Sequence, residues 1–320
     1  MKITLLTDDL IVGYSDSELA ALRDAVPDAD FACCRRETVS FSELVDSEVI
    51  FGWPPIQMLK ELVNLKWLHL ASAGANNYTD VSLYADPSVL LTKSSGTFGI
   101  PIAEHVIGMM LALSRCFLLH HGDQREGLWR HEHRESIELY GSNVFVLGLG
   151  DIGTEVCRRL SGFGCNIVGF RRDASLPHEF VSDVRPVSRL RDSLPDADYI
   201  VICLPGTTET DKLIGRSEFD LMKKRAIIVN IGRGSVIDTD ALVEALNSHK
   251  ISGAGIDVTD PEPLPPGHPL WIAENTLITP HVSSSSPHGA DRRLAIFTDL
   301  LKRYMSGRPL YNIVKFDAGY

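Results

Sequence analysis

The chain has 320 residues, with 31 Lys and Arg against 42 Asp and Glu, a formal net charge of −11. That length favours two domains, each with its own core, and 44% hydrophobic with 23% charged residues argues against extensive disorder. The acidic balance speaks against a nucleic-acid or anionic-membrane binder, because phosphate binding needs a positive surface. No apolar run approaches the roughly 18 residues of a membrane span.

The N-terminus opens on an apolar run, residues 3–7, that reads as a β-strand; Asp8 and Asp9 stand where a signal peptide would continue its apolar stretch. The six cysteines contain no C-x-x-C pair, so scattered thiols in a reducing cytoplasm are expected. Strand-like runs at 49–51, 67–70 and 89–91 alternate with helical periodicity at 16–25 and 55–62. Such alternation implies a parallel sheet with helices on its faces. Residues 102–119 are helical by period and apolar nearly all round, which predicts one buried helix. The polar segment 120–140, rich in His and Arg, reads as a long connection.

From Asn143 the pattern restarts. Strands are expected at 144–147, 166–170, 199–204, 226–231, 253–258 and 276–278, with helices at 153–162, 217–223 and 238–247 between them. This second unit is a doubly wound α/β domain. A last helix is expected at 289–305.

Gly148-Leu149-Gly150-Asp151-Ile152-Gly153 fits G-x-G-x-x-G, follows an apolar strand and opens a helix, the context that makes this pattern specific for a dinucleotide. Its glycines let the backbone turn tightly and approach a pyrophosphate at the helix N-terminus. Asp151 is awkward beside a pyrophosphate, and its side chain is expected to point to solvent. The second strand of the unit ends in Arg171-Arg172, where an NAD-selective domain carries an acid for the ribose 2′-OH. A guanidinium there grips a 2′-phosphate, so NADP(H) is favoured, with NAD(H) as the other option if Asp173 takes the acid's place.

Arg233, Glu262 and His281 each follow a predicted strand of this unit, and ligands of open α/β sheets bind outside the carboxyl ends of strands. An arginine can hold a carboxylate and polarise a neighbouring carbonyl. A histidine can exchange a proton with the developing alkoxide, and a carboxylate on the far imidazole nitrogen would fix its tautomer. Three such residues at one sheet edge are what reduction of a 2-oxo acid requires.

With Asn230–Gly234 written N-I-G-R-G, Asp257, the run D-P-E-P-L-P from Asp260, and T-P-H-V from Thr279 added to the glycine loop, nearly the entire chain resembles the D-isomer-specific 2-hydroxyacid dehydrogenase family. The resemblance implies two Rossmann-like or flavodoxin-like doubly wound α/β domains separated by an active-site cleft. It divides them into a discontinuous substrate domain, 1–97 and 289–320, and a dinucleotide-binding domain, 98–288. It also implies Arg233 as substrate anchor, His281 as acid/base, Glu262 as its partner and Asp257 as a nicotinamide-positioning residue. Ala73 and Gly74 match the backbone amides that hold the substrate carboxylate. Family members commonly form homodimers through the coenzyme domain, with 124–140 as a contributor. Two other readings stand beside this one: a formate or phosphite dehydrogenase of the same superfamily, and a dinucleotide-sensing scaffold of corepressor type. Glu262 stands where formate dehydrogenases generally carry Gln.

His105, the pair His120-His121 and the set His131-x-His133 lack recognised zinc spacing, so no metal is expected. Trp53 and Phe98 follow first-domain strands and suit either the substrate side-chain pocket or ordinary core packing.

Overall fold

The apolar runs of the first hundred residues assemble into one parallel sheet. In the computed structural model, which describes residues 1–7, 14–131 and 136–316, its strands are β1 (Lys2–Thr7), β2 (Asp30–Arg35), β3 (Val49–Phe51), β4 (Trp67–Leu70) and β5 (Leu90–Lys93). They lie in the order β2-β1-β3-β4-β5, the flavodoxin-like winding. Helix α1 (Asp16–Ala25) starts at a capping box in which Ser15 and Glu18 satisfy each other's backbone amides. Ile3, Leu5, Phe51 and Trp67 pack on one face of the sheet against Leu294, Phe297, Leu300 and Leu301 of the last helix. That burial ties the C-terminal helix to the first sheet, and the compact unit is Met1–Phe98 with Ser286–Tyr320.

The second unit, Gly99–Ser285, opens with two helices, α2 (Gly99–Ser114) and α3 (Phe117–Arg125). The single helix expected over 102–119 is therefore corrected: the chain bends by 66° between them. Cys116 takes a left-handed φ of 56°, which ends the α-helical hydrogen-bond ladder. The connection expected over 120–140 is in part helical for the same reason, and Asp8, Asp9, His133 and Arg134 lie outside the described residues. Among the described residues no single helix is long and apolar enough to cross a membrane.

The strands of this unit are β6 (Asn143–Leu147), β7 (Asn166–Arg171), β8 (Asp183–Pro186), β9 (Tyr199–Ile202), β10 (Ile227–Asn230), β11 (Gly253–Ile256) and β12 (Thr276–Ile278). All are parallel, in the order β12-β11-β10-β9-β6-β7-β8, which is a Rossmann winding with one strand added at an edge. The topology reverses between β6 and β9; the glycine loop leaves the carboxyl end of β6, and the segments bearing Arg233, Glu262 and His281 leave those of β10, β11 and β12. Helix α4 (Asp151–Ser161) follows β6, α5 (Thr239–Asn247) follows the Arg233 loop, and α6 (Gly289–Met305) returns to the first unit.

Candidate active site

The glycine loop is built by steric exclusion. Gly148 has φ +98°, and a Cβ there would lie 2.8 Å from the Cys203 carbonyl oxygen. A Cβ at Gly153 would lie 1.8 Å from the Gly148 carbonyl oxygen, so α4 can approach β6 this closely only without a side chain. Gly150 instead faces open space, with nothing within 4 Å of its Cβ position. That leaves the first-turn amides of α4 approachable by an anion. Leu149 packs over Gly169 of β7, and Ile152 is half-buried behind the loop. The solvent orientation expected for Asp151 is corrected. Its Oδ1 would meet a Cβ at Gly99 at 2.8 Å, which sets the carboxylate against the first turn of α2, where helix-terminal amides favour a negative charge.

At the end of β7, the Arg171 guanidinium donates to the Leu176 carbonyl, while its buried Nε has no partner among the described residues. Arg172 pairs with Glu209 at 2.9 Å, both side chains exposed. Asp173 accepts from the Ser175 N–H at 2.9 Å, and its bonds to Ser175 hold its carboxyl below the usual range. One oxygen of the acid that would serve NAD(H) is thus engaged in its own turn, and the buried Arg171 Nε–H has no acceptor among the described residues.

Past β10, Asn230 is nearly fully buried and braces the loop: its Nδ2 donates to the Arg233 carbonyl at 2.9 Å and its Oδ1 accepts from the Gly232 N–H at 3.0 Å. A side-chain amide offers a donor and an acceptor on separate atoms, which suits this double contact. Arg233 is half-buried, its Nη1 donating to the Gly232 carbonyl at 2.7 Å. Gly234 lies so close to Thr259 that a Cβ would fall 2.0 Å from its carbonyl carbon and oxygen, which packs the Arg233 loop onto the segment leading to Glu262.

His281 and Glu262 meet at 2.6 Å, Nδ1 to Oε1, with side chains 46% and 44% exposed. A carboxylate only accepts, so Nδ1 carries the proton. Nε2 has no partner among the described residues, so it is open to act as donor or acceptor. The backbone of His281 is left-handed, φ 53°, and its N–H donates to the Asp257 carbonyl at 2.8 Å. Asp257 is 1% exposed. Burial works to raise its pKa. Hydrogen bonds from Ser283, Thr279 and the Val282 and Ser283 amides outweigh that effect and hold the carboxyl below its usual value. Glu262 and His281 are therefore brought together directly, Asp257 supports the His281 loop from below, and Arg233 is linked to the same segment through Gly234.

Ala73 and Gly74 belong to the first unit, in the loop after β4. Trp53 Nε1 donates to Ser72 Oγ at 3.1 Å, and Ser72 Oγ donates to the Gly74 carbonyl at 2.7 Å. The Ala73 and Gly74 N–H groups have no acceptor among the described residues, a backbone arrangement suited to an anion. Trp53 and Phe98 are both half-buried; Phe98 lies under the Arg293 guanidinium at 5.9 Å. Behind the loop, His69 of β4 is fully buried between Thr92 and Ser94 hydroxyls at 2.7 and 3.0 Å.

Burial pushes the His69 pKa down to about 3. The unfolded ring titrates near 6.5, so between those values the unfolded state binds more protons and stability rises with pH. The contribution is complete above about pH 6.5 and is lost as pH falls towards 3. Between pH 7.5 and 5.0 this residue is expected to cost about 2 kcal/mol, read as a change in urea unfolding. His69→Gln should remove that share; an unchanged pH dependence in the variant would show that another group carries it.

No group of three or more His, Cys, Asp or Glu that could hold a metal is found among the described residues.

Residues 107–283 match the sequence profile of the D-isomer specific 2-hydroxyacid dehydrogenase, NAD binding domain. The chain belongs to this family. It is 34% identical over 259 residues to a D-3-phosphoglycerate dehydrogenase of Methanocaldococcus jannaschii, an alignment covering 80% of this chain and 49% of that protein. The chain thus spans about half the length of the phosphoglycerate dehydrogenases it matches. To a glyoxylate reductase of Aeropyrum pernix it is 32% identical, covering 80% of this chain and 78% of the other. Among solved structures, a D-isomer specific 2-hydroxyacid dehydrogenase from Xanthobacter autotrophicus Py2, in complex with NADPH and MES, superposes with a TM-score of 0.83 at 28% identity over 99% of both chains.

Proposed function

We propose that the chain is an NADP(H)-preferring D-2-hydroxyacid dehydrogenase acting on a small 2-oxo acid or 2-hydroxy acid. The observation that carries this reading is the His281–Glu262 pair, 2.6 Å apart with Nε2 of the imidazole unpartnered among the described residues, in a chain of this family. The glycine loop fits a dinucleotide, because Gly150 opens onto free space where a pyrophosphate would sit. When bound, the coenzyme supplies the hydride. Protonated His281 gives its Nε2 proton to the carbonyl oxygen as negative charge develops there, and takes it back in oxidation. Glu262 holds the Nδ1–H tautomer and favours the imidazolium. Arg233 binds the substrate carboxylate and polarises the carbonyl; the amides of Ala73 and Gly74 are assigned to the carboxylate by the family resemblance alone. Asp257 positions the nicotinamide side of the site. The glyoxylate reductase named above supports a small 2-oxo acid as substrate.

The coenzyme preference rests on Arg171, whose buried Nε lacks an acceptor, and on Arg172. The Xanthobacter relative in complex with NADPH supports the same choice. A panel of 2-oxo acids with NADPH and NADH tests both halves of the proposal. Turnover with NADPH at least tenfold more efficient than with NADH is expected, and Arg171→Asp should lower NADPH efficiency by about 10- to 100-fold, the worth of one charged hydrogen bond. A wild-type preference for NADH would overturn the assignment of Arg171.

A homodimer formed through the second unit fits the exposed apolar side chains of and beyond α3, Phe117, Leu119, Trp129 and Tyr140. A cytoplasmic location fits six cysteines without a disulfide.

A further inference from the structure

Two side chains that this chemistry does not use stand behind the His281 loop. Helix α2 lies against β10, β11 and β12, close enough that Met109 Sδ would sit 2.9 Å from a Cβ at Gly255. One turn earlier on α2, His105 reaches Thr279, just past β12: its Nε2 is 3.0 Å from Oγ1. The Thr279 hydroxyl donates to Asp257 Oδ1 at 2.5 Å. The carboxylate can only accept, so Thr279 has spent its single proton on it and must itself accept from His105, whose N–H is thereby assigned to Nε2. Asp257 then uses its other acceptor sites on the Val282 and Ser283 amides at 3.0 and 3.1 Å, and its carbonyl receives the His281 N–H.

His281 has φ 53°, a region that residues with a Cβ avoid. The Val282 and Ser283 amides bonded to the Asp257 carboxylate, with the His281 N–H shared between the Asp257 and Thr279 carbonyls, therefore hold the loop against its own backbone preference, and its orientation depends on where that carboxylate sits. With 1% of its surface exposed, that carboxylate has little water to replace a missing partner.

We propose that His105 and Thr279 are positioning residues, a relay from α2 through Asp257 that fixes the 281–283 backbone and so aims the His281 imidazole at Glu262. The catalytic part of this statement rests on the proposed function; the structural part does not. Neither residue touches substrate or coenzyme in this scheme. His105 acts through Thr279, since its Nε2 lies 3.9 Å from Asp257 Oδ1, beyond hydrogen-bond reach, and Thr279 acts through Asp257.

Hydrogen exchange read by mass spectrometry on the unliganded full-length chain tests the relay without reference to activity. Thr279→Val should speed exchange of the 281–283 amides by about fivefold or more, with β1 unaffected, as expected of a local opening. Thr279→Ser keeps the hydroxyl and should restore wild-type exchange. His105→Phe should give a smaller increase and add nothing when combined with Thr279→Val, because both remove the same path. In turnover, Thr279→Val should lower kcat about tenfold, the scale of a misaimed catalytic group, while the Kd for NADPH, followed by its fluorescence, stays within about threefold.

Wild-type exchange in Thr279→Val, or fully additive effects of the two substitutions, would overturn the relay. Should Thr279→Val not fold, His105→Phe carries the same exchange test, at a side chain 23% exposed; His105→Gln, which still donates, should match wild type. A wild-type chain inactive on every 2-oxo acid would refute the proposed function and leave the exchange result to decide the relay.

Discussion

His281→Ala is expected to lower kcat for 2-oxo acid reduction by about 10³-fold, within the range a positioned general acid supplies, while the NADPH Kd stays within about twofold. The 2.6 Å contact between Nδ1 and Glu262 commits one ring nitrogen and leaves Nε2 as the only other proton-exchanging atom of the ring. With His281 gone, water must protonate the alkoxide, and neither its acidity nor its orientation matches an imidazolium near neutral pH. Glu262→Gln should cost less, about tenfold, because both side chains are nearly half exposed and solvent screens their ion pair. Gln can still accept from Nδ1–H, so what is lost is preference for the charged ring rather than its orientation. Steady-state turnover with NADPH and fluorescence titration of the coenzyme separate the two effects. A His281→Ala protein that keeps its kcat would move the acid elsewhere in the chain.

How far the sequence foretells this arrangement depends on which physical signal each part leaves. β9, β10 and β11 are buried along their whole length, so they stand out as unbroken apolar runs. β2 and β8 lie at sheet edges, with half-exposed, mixed-polarity residues and, in β8, a terminal proline, and no periodic pattern marks them. The break at Cys116 is equally silent. Neither glycine nor proline occurs there, and the apolar period runs on from α2 into α3.

In the site, residues chosen for their chemistry are readable singly: Arg233, Glu262 and His281 each follow a strand, and transfer of one hydride and one proton to a carboxylate-bearing substrate calls for those types. Their supports are harder to see. His105 and Thr279 are 174 positions apart, and only the packing of α2 across β12 makes them neighbours. The brace formed by Asn230 and the commitment of Asp173 to Ser175 are local, yet each depends on a side-chain rotamer that spacing does not encode.

Arg233 gives the other large expected effect. Arg233→Ala should reduce kcat/KM for a 2-oxo acid by about 10³- to 10⁴-fold, since in the proposed function the side chain both anchors the carboxylate and stabilises the oxygen on which charge develops. The two roles separate kinetically: an anchor alone raises KM with kcat intact, whereas a group bonded more tightly in the transition state lowers kcat as well. Both are expected to change, because the guanidinium is already oriented, with Nη1 held by the Gly232 carbonyl at 2.7 Å, while its remaining N–H groups form a planar fork. Arg233→Lys keeps the charge without the fork and should recover only part of the loss, about tenfold, mostly in KM. Free guanidinium added to Arg233→Ala should restore some kcat; added to Arg233→Lys, whose ammonium fills the space, it should not. An Arg233→Ala enzyme with wild-type kcat and a raised KM would reduce the residue to a carboxylate anchor, leaving polarisation of the carbonyl to His281 alone.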